Sequence, residues 1–231
     1  MTKVFAVRIG EKYGKYVEDY LNSKIPGITW IRDEQNDMKL QWNKLRFMNM
    51  DIDEPIVVID IDMLFINDYM EAIEYPIKRG EFLTFKSWWG DTGTLGYSLN
   101  GGFQKYYPKD CKFIYNEFIK NRTWENFYID NKITVGPVNG EQYFVEDMLR
   151  SRNIKINYLP DEWVFCITKS FDDDSDFSKI KMNLKYFSFS DEYAYLDDFN
   201  KHIKIVHFMN TDFGEKEILK FDKSSIISCN T

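Results

Sequence analysis

The chain has 231 residues, a formal net charge of -7, 44% hydrophobic residues and 17% aromatic residues. This length and composition suit one folded domain with a sizeable core and exclude a disordered chain. The acidic balance and the lack of a Lys/Arg cluster argue against a nucleic-acid groove. In chain order, residues 3–9 (KVFAVRI) read as a first strand. Gly10 and Gly14 bracket a loop that holds Tyr13, and residues 16–23 read as a helix stopped by Pro26-Gly27. A short strand is expected at residues 29–31, and residues 38–50 have helical spacing. The run Ile56-Val57-Val58-Ile59 is β-branched throughout and suits a strand buried on both faces. A helix is expected after Asn67 and a strand at 80–85. Residues 88–102 read as a loop and a strand-like turn, and 110–120 as a helix. A turn follows at 136–140, a helix at 141–150 and a strand at 154–159. No element is assigned within 161–202. Residues 203–208 (IKIVHF) read as a strand ending in His207, with a polar tail after Asn210. Strands alternating with helices predict an α/β fold with a mostly parallel sheet flanked by helices.

Three widely spaced cysteines, Cys111, Cys166 and Cys229, with no CxxC, argue against a disulfide framework or a zinc site. The N-terminus carries no apolar stretch of signal-peptide length, and no run approaches the roughly 20 apolar residues of a bilayer span. The expectation is a soluble, intracellular chain with no nucleic-acid partner and no membrane span. Nothing in the sequence sets its oligomeric state.

The chemistry concentrates at Asp60 and Asp62, directly after the buried strand. Alternate residues of an extended chain point the same way, so both carboxylates can reach one site. Open α/β sheets place ligands at the carboxyl ends of their strands. Two half-buried carboxylates need a cation, and hard oxygen ligands select Mg²⁺ or Mn²⁺ with phosphate oxygens completing the shell. Two other readings stay open: a pair of carboxylates capping the next helix, and an aspartyl nucleophile. Phosphatases similar to haloacid dehalogenases carry DxDx followed by Thr or Val after a strand, usually their first. Here Leu64 stands at that place and a strand precedes the motif.

His207 ends an apolar strand and is read either as a structural residue or as a borderline ligand beside carboxylates. Lys44 and Arg46, within Trp42–Phe47, can neutralise phosphate or simply face solvent. Asn100-Gly101-Gly102 allows close approach to a ligand, with an amide suited to sugar hydroxyls, or forms an ordinary Asn-Gly turn. Glu141-Gln142 caps a helix or faces a cleft. The acidic run at 171–176 matches a calcium loop at its first, third and fifth positions only; Phe177 replaces the required Gly, and it reads as solvated.

WNKLRF, VVIDID, LNGGF, GEQYF and IVHF follow one another in the order seen in GT-A glycosyltransferases of the glycogenin-like, retaining type. The likeness spans about residues 3–210, and QWNKLRFMNMDIDEPIVVIDIDMLF resembles the short GT-A domains of chloroviruses, large DNA viruses of algae. It implies a single Rossmann-like GT-A domain over 1–231. Residues 1–100 would serve mainly nucleotide and metal, 101–210 sugar and acceptor, and 211–231 would form a tail. It also implies Mn²⁺ (or Mg²⁺) held by Asp60, Asp62 and His207, with Asp60, Asp62, Glu141 and Gln142 as the catalytic set. Val7, Arg8, Tyr13, Lys44, Ile61, Lys86, Asn100, Gly101 and Gly102 would bind the donor, Tyr13 stacking on the base. The implied donor is UDP-linked glucose or rhamnose and the implied acceptor a glycan or glycoprotein, near Trp88 and Trp89, in viral capsid glycosylation. A virus would place it in the host cytoplasm. One departure is plain: glycogenin-like enzymes follow the His with Gly and Lys-Pro-Trp, whereas HFMNTDFGEK follows here, with Lys216 as the substitute. A nucleotide-sugar-binding module without turnover is the rival of another class.

Overall fold

The computed structural model describes residues 1–35, 38–86, 97–121, 140–168, 202–209 and Ile218, without the side chains of 166–168 and 209. Trp88, Trp89, the turn at 136–139, the run at 171–176 and Lys216 lie outside the described residues. The described chain gathers into two compact units.

The first unit takes in Met1–Gly10, Gly27–Asp60 and Glu74–Leu159. Its six-stranded sheet uses β1 (Lys3–Val7), β2 (Thr29–Ile31), β3 (Ile56–Ile59), β5 (Glu81–Lys86), β6 (Leu99–Tyr106) and β7 (Lys155–Tyr158). The order is β2-β1-β3-β6-β5-β7. Pairings β1/β2, β1/β3 and β5/β7 are parallel; β6 runs against β3 and β5. The mixed α/β, mostly parallel sheet expected from the alternation is thus present.

All four residues of β3 are buried, as the IVVI run requires of a strand covered on both faces. One face packs Phe5, Ile56, Val58, Phe82 and Tyr106 against Trp42, Phe118 and Phe144. Phe82 and Tyr106 stack at 5.3 Å and 6°, and Trp42 and Phe118 at 5.0 Å and 18°. These last side chains come from a 3₁₀ helix at Leu40–Asn49, from α3 (Pro108–Lys120) and from α4 (Glu141–Ser151). The helix expected at 38–50 therefore winds tighter than an α-helix. Asn43 gives a cause, because its Nδ2 donates to the carbonyls of Met38 (2.7 Å) and Leu40 (3.0 Å), competing with the regular ladder.

A second difference concerns Asn100-Gly101-Gly102. The segment is the interior of β6 rather than a turn. A register shift between Thr84 and Phe85 accommodates it, a use of strand glycine that signals an irregularity or a close approach.

The second unit takes in Glu11–Pro26, Ile61–Ile73 and the described residues from Pro160 onward. It holds α1 (Lys15–Lys24), the one-turn α2 (Met70–Ile73) and a three-stranded sheet of β4 (Met63–Phe65), β9 (Ile205–Met209) and β8 (Val164–Thr168). β4 runs antiparallel to β9 with Met63 opposite His207, and β8 runs parallel to β9. Sequence reading assigned no strand at β4 or β8, and it expected more helix after Asn67 than α2 provides. β4 has only three residues, too few for either periodicity to register. Its Phe65 amide donates to the Tyr20 hydroxyl (3.1 Å), which ties α1 to the strand. Asn67 adopts φ 48°, a left-handed turn that asparagine tolerates, and its amide donates to the Ile203 carbonyl (2.6 Å).

Candidate functional site

The ladder between β3 and β6 closes where the Asp60 amide donates to the Gly102 carbonyl (2.7 Å). That bond fixes the first aspartate at the carboxyl end of β3. Lys44, on the 3₁₀ helix and only 3% exposed, reaches Asp60 Oδ1 at 2.5 Å, Glu141 Oε2 at 3.8 Å and the Gly101 carbonyl at 2.9 Å. Glu141, at 2% exposure, accepts from Gln104 Nε2 (3.0 Å). Gln142 Oε1 accepts from the Gly101 amide (2.9 Å), and Asn100 Oδ1 from the Gly102 amide (2.8 Å). Gly101 is needed for packing as well as for freedom. A Cβ there would meet Gln142 Cβ and Glu141 Oε2 at 3.2 Å, so the strand and the start of α4 approach as closely as glycine allows.

A buried carboxylate, Glu141, and a half-buried one, Asp60, around one lysine set the electrostatics. Burial pushes the Glu141 carboxyl up, and Asp60 pushes the same way; Lys44 and Gln104 oppose them without prevailing. Lone buried charge would be costly, and the single ammonium is what makes the pair tolerable.

The second unit builds around Asp62 and His207. His207 is 5% exposed, and its Nε2 lies 3.4 Å from Asp62 Oδ1. The Tyr13 hydroxyl donates to Asp62 Oδ2 at 3.1 Å, and the Phe208 amide donates to the Asp62 carbonyl at 2.8 Å. Burial alone would raise the Asp62 carboxyl. The bond and charge of His207, with the Tyr13 hydroxyl, overcome it and hold the carboxyl below its ordinary value.

Asp62 and His207 offer an oxygen and an imidazole nitrogen 3.4 Å apart, and Asp60 stands two residues before Asp62 in the chain. Two oxygens and an imidazole nitrogen form a donor set for a hard-to-borderline divalent ion such as Mn²⁺ or Mg²⁺. Two ligands about 2.1 Å from one octahedral ion stand about 3 Å apart, which the 3.4 Å between Asp62 and His207 approaches. The residues present fit such an ion.

Of the other expected site residues, Val7 and Arg8 stand where β1 ends, the Arg8 amide donating to the Ile31 carbonyl (2.8 Å). Lys86 ends β5 and Ile61 separates the aspartates; neither enters the hydrogen bonds around Lys44. Sequence reading missed Gln104 and Glu146. Glu146, fully buried, accepts from the Ser98 amide (2.9 Å), the Ser98 hydroxyl (3.1 Å) and the Leu99 amide (2.7 Å), and pairs with Arg150. It ties α4 to the start of β6. The only trace in sequence was its place one helical turn after Gln142, which by itself signals nothing.

No protein-family model and no curated protein matches the chain. Among solved structures, an active-site mutant of LgtC aligns with a TM-score of 0.50 at 9% identity, covering 90% of this chain and 87% of that one. A glycosyltransferase involved in glycosylation of the major capsid of PBCV-1 aligns with a TM-score of 0.49 at 14% identity, covering 89% and 93%. The glycosyltransferase GlyE of Streptococcus pneumoniae TIGR4 aligns at 0.45 and 10%, and this chain spans 47% of its length. The LgtC likeness, together with the sheet described above, gives the chain the α/β fold of GT-A glycosyltransferases.

Proposed function

We propose that the chain is a metal-dependent glycosyltransferase acting on a nucleoside-diphosphate sugar. The observation that carries the reading is the pairing of Asp62, two residues past the aspartate at the end of β3, with His207, in a chain of GT-A fold. In this reading the three residues hold Mn²⁺ or Mg²⁺, which supplies charge to the diphosphate leaving group. Lys44 fixes Asp60 and compensates Glu141. Asn100, Gly101 and Gln142 present an amide, a close backbone and a second amide to the donor sugar, while Val7, Arg8 and Tyr13 flank the nucleotide. The sugar passes from its anomeric bond to an acceptor hydroxyl through an oxocarbenium-like state.

A UDP-linked hexose or deoxyhexose of glucose or rhamnose type, retention of configuration and a glycan acceptor on a viral capsid protein complete the proposal. These finer assignments rest on the resemblance of the motifs alone.

The test measures nucleotide release from UDP-glucose and UDP-rhamnose by the full chain, with and without Mn²⁺. Free UDP should appear only with the metal, and Asp62→Ala should lower the rate at least about 100-fold, roughly 3 kcal/mol of transition-state stabilisation. Metal-dependent thermal stabilisation without turnover would assign a binding module instead. Release of inorganic phosphate would assign a phosphatase.

A further inference from the structure

We infer that Tyr13 is a positioning residue for Asp62, its hydroxyl fixing the carboxylate so that one oxygen is left for a divalent cation shared with His207. The inference rests on the metal reading above and goes beyond it, because base stacking was the only role the sequence offered for Tyr13.

The two oxygens of Asp62 have different neighbours. Oδ1 faces His207 Nε2 at 3.4 Å. Oδ2 accepts the Tyr13 hydroxyl at 3.1 Å. A carboxylate held at one oxygen by a donor cannot rotate freely, and its other oxygen keeps one direction. Donors behind ligands of this kind typically contribute 10–100-fold in metal affinity. The phenol is well suited to the place. It donates one hydrogen bond, adds no charge that would repel a cation, and is itself half-buried. The Lys12 ammonium lies over the face of its ring, 4.8 Å from the centroid. The loop begins at Gly10, whose φ of 81° lets the chain turn there without strain.

The experiment measures Mn²⁺ binding directly, by the paramagnetic signal of the free ion, on the full chain without nucleotide. Tyr13→Phe keeps the ring and removes only the hydroxyl. It should weaken Mn²⁺ binding by about 10–100-fold, while the metal-free chain stays folded at the temperature of the measurement, its midpoint lowered by no more than the loss of one hydrogen bond brings. Binding within about twofold of the parent, or tighter, overturns the inference, and so does a metal-free chain that is no longer folded at the temperature of the measurement, which would make the hydroxyl a fold contact. Asp62→Asn separates the two levels. If Asp62→Asn abolishes Mn²⁺ binding and Tyr13→Phe does not change it, the inference fails and the metal reading stands. If the parent chain binds no Mn²⁺, or Asp62→Asn binds as the parent does, both fail together.

Discussion

Asp60 and Asp62 are the same residue two positions apart, yet the folded chain treats them differently. Asp60 belongs to the unit in which Lys44 meets its charge at 2.5 Å, alongside the buried Glu141. Asp62 belongs to the other, where a phenol and an imidazole meet its side chain. One carboxylate is thus neutralised by a fixed cation of the protein. The other is oriented by an imidazole and a neutral phenol. In the proposed metal reading this would be a division of labour: a compensated anchor and a ligand oriented for the ion.

The largest effect expected on this contrast comes from Lys44→Met. It leaves Asp60 and the buried Glu141 without their ammonium, and the chain should lose about 3 kcal/mol in urea unfolding. An unchanged midpoint would mean that the lysine does not compensate the pair, and the contrast would collapse. A smaller effect belongs to the hydrogen bonds of the second unit. Tyr20→Phe removes the hydroxyl that accepts from the Phe65 amide and donates to the Phe65 carbonyl at 3.4 Å. It should cost about 1–2 kcal/mol by the same measurement. A loss as large as that of Lys44→Met would erase the distinction between charged and neutral anchoring.

The smallest effect is one of slope. Glu141 titrates above its ordinary 4.5, through burial first and Asp60 second. The folded chain therefore binds this proton more tightly than the unfolded chain. Its contribution to stability is full below 4.5 and is lost as pH rises through the folded value. Glu141→Gln should flatten that part of the stability–pH curve. Asp62 has the opposite sign: its lowered value stabilises the chain above 3.8 and is lost as pH falls through the folded value. A Glu141→Gln curve with the parent's slope would show that Lys44 fully offsets the burial of Glu141.

Much of this was legible in the residues. The IVVI run announced a strand buried on both faces, and the alternation of elements announced the α/β sheet. Asp60, Asp62 and His207 stood out because strand-end carboxylates and a lone histidine on an apolar strand are rare residue types for their places. Other features had no local signature. β4 is too short to show a period. Asn100-Gly101-Gly102 has the composition of a turn and became part of a strand because Phe85 of β5 pairs with Asn100 and the Asp60 amide bonds the Gly102 carbonyl. Glu146 became a structural acceptor only because the backbone amides of Ser98 and Leu99 were brought to it from 47 or more residues away.

The sequence by itself determined which groups are available for chemistry and which runs are fit for burial, since side-chain type and hydrophobic pattern are local properties of the chain. Only the tertiary structure decided how each group is used. Lys44 compensates carboxylates, Gly101 yields its space to the start of α4, and Tyr13 bonds Asp62 across 49 residues. Partner choice depends on long-range pairing of strands and helices, and no window of sequence contains both members of such a pair.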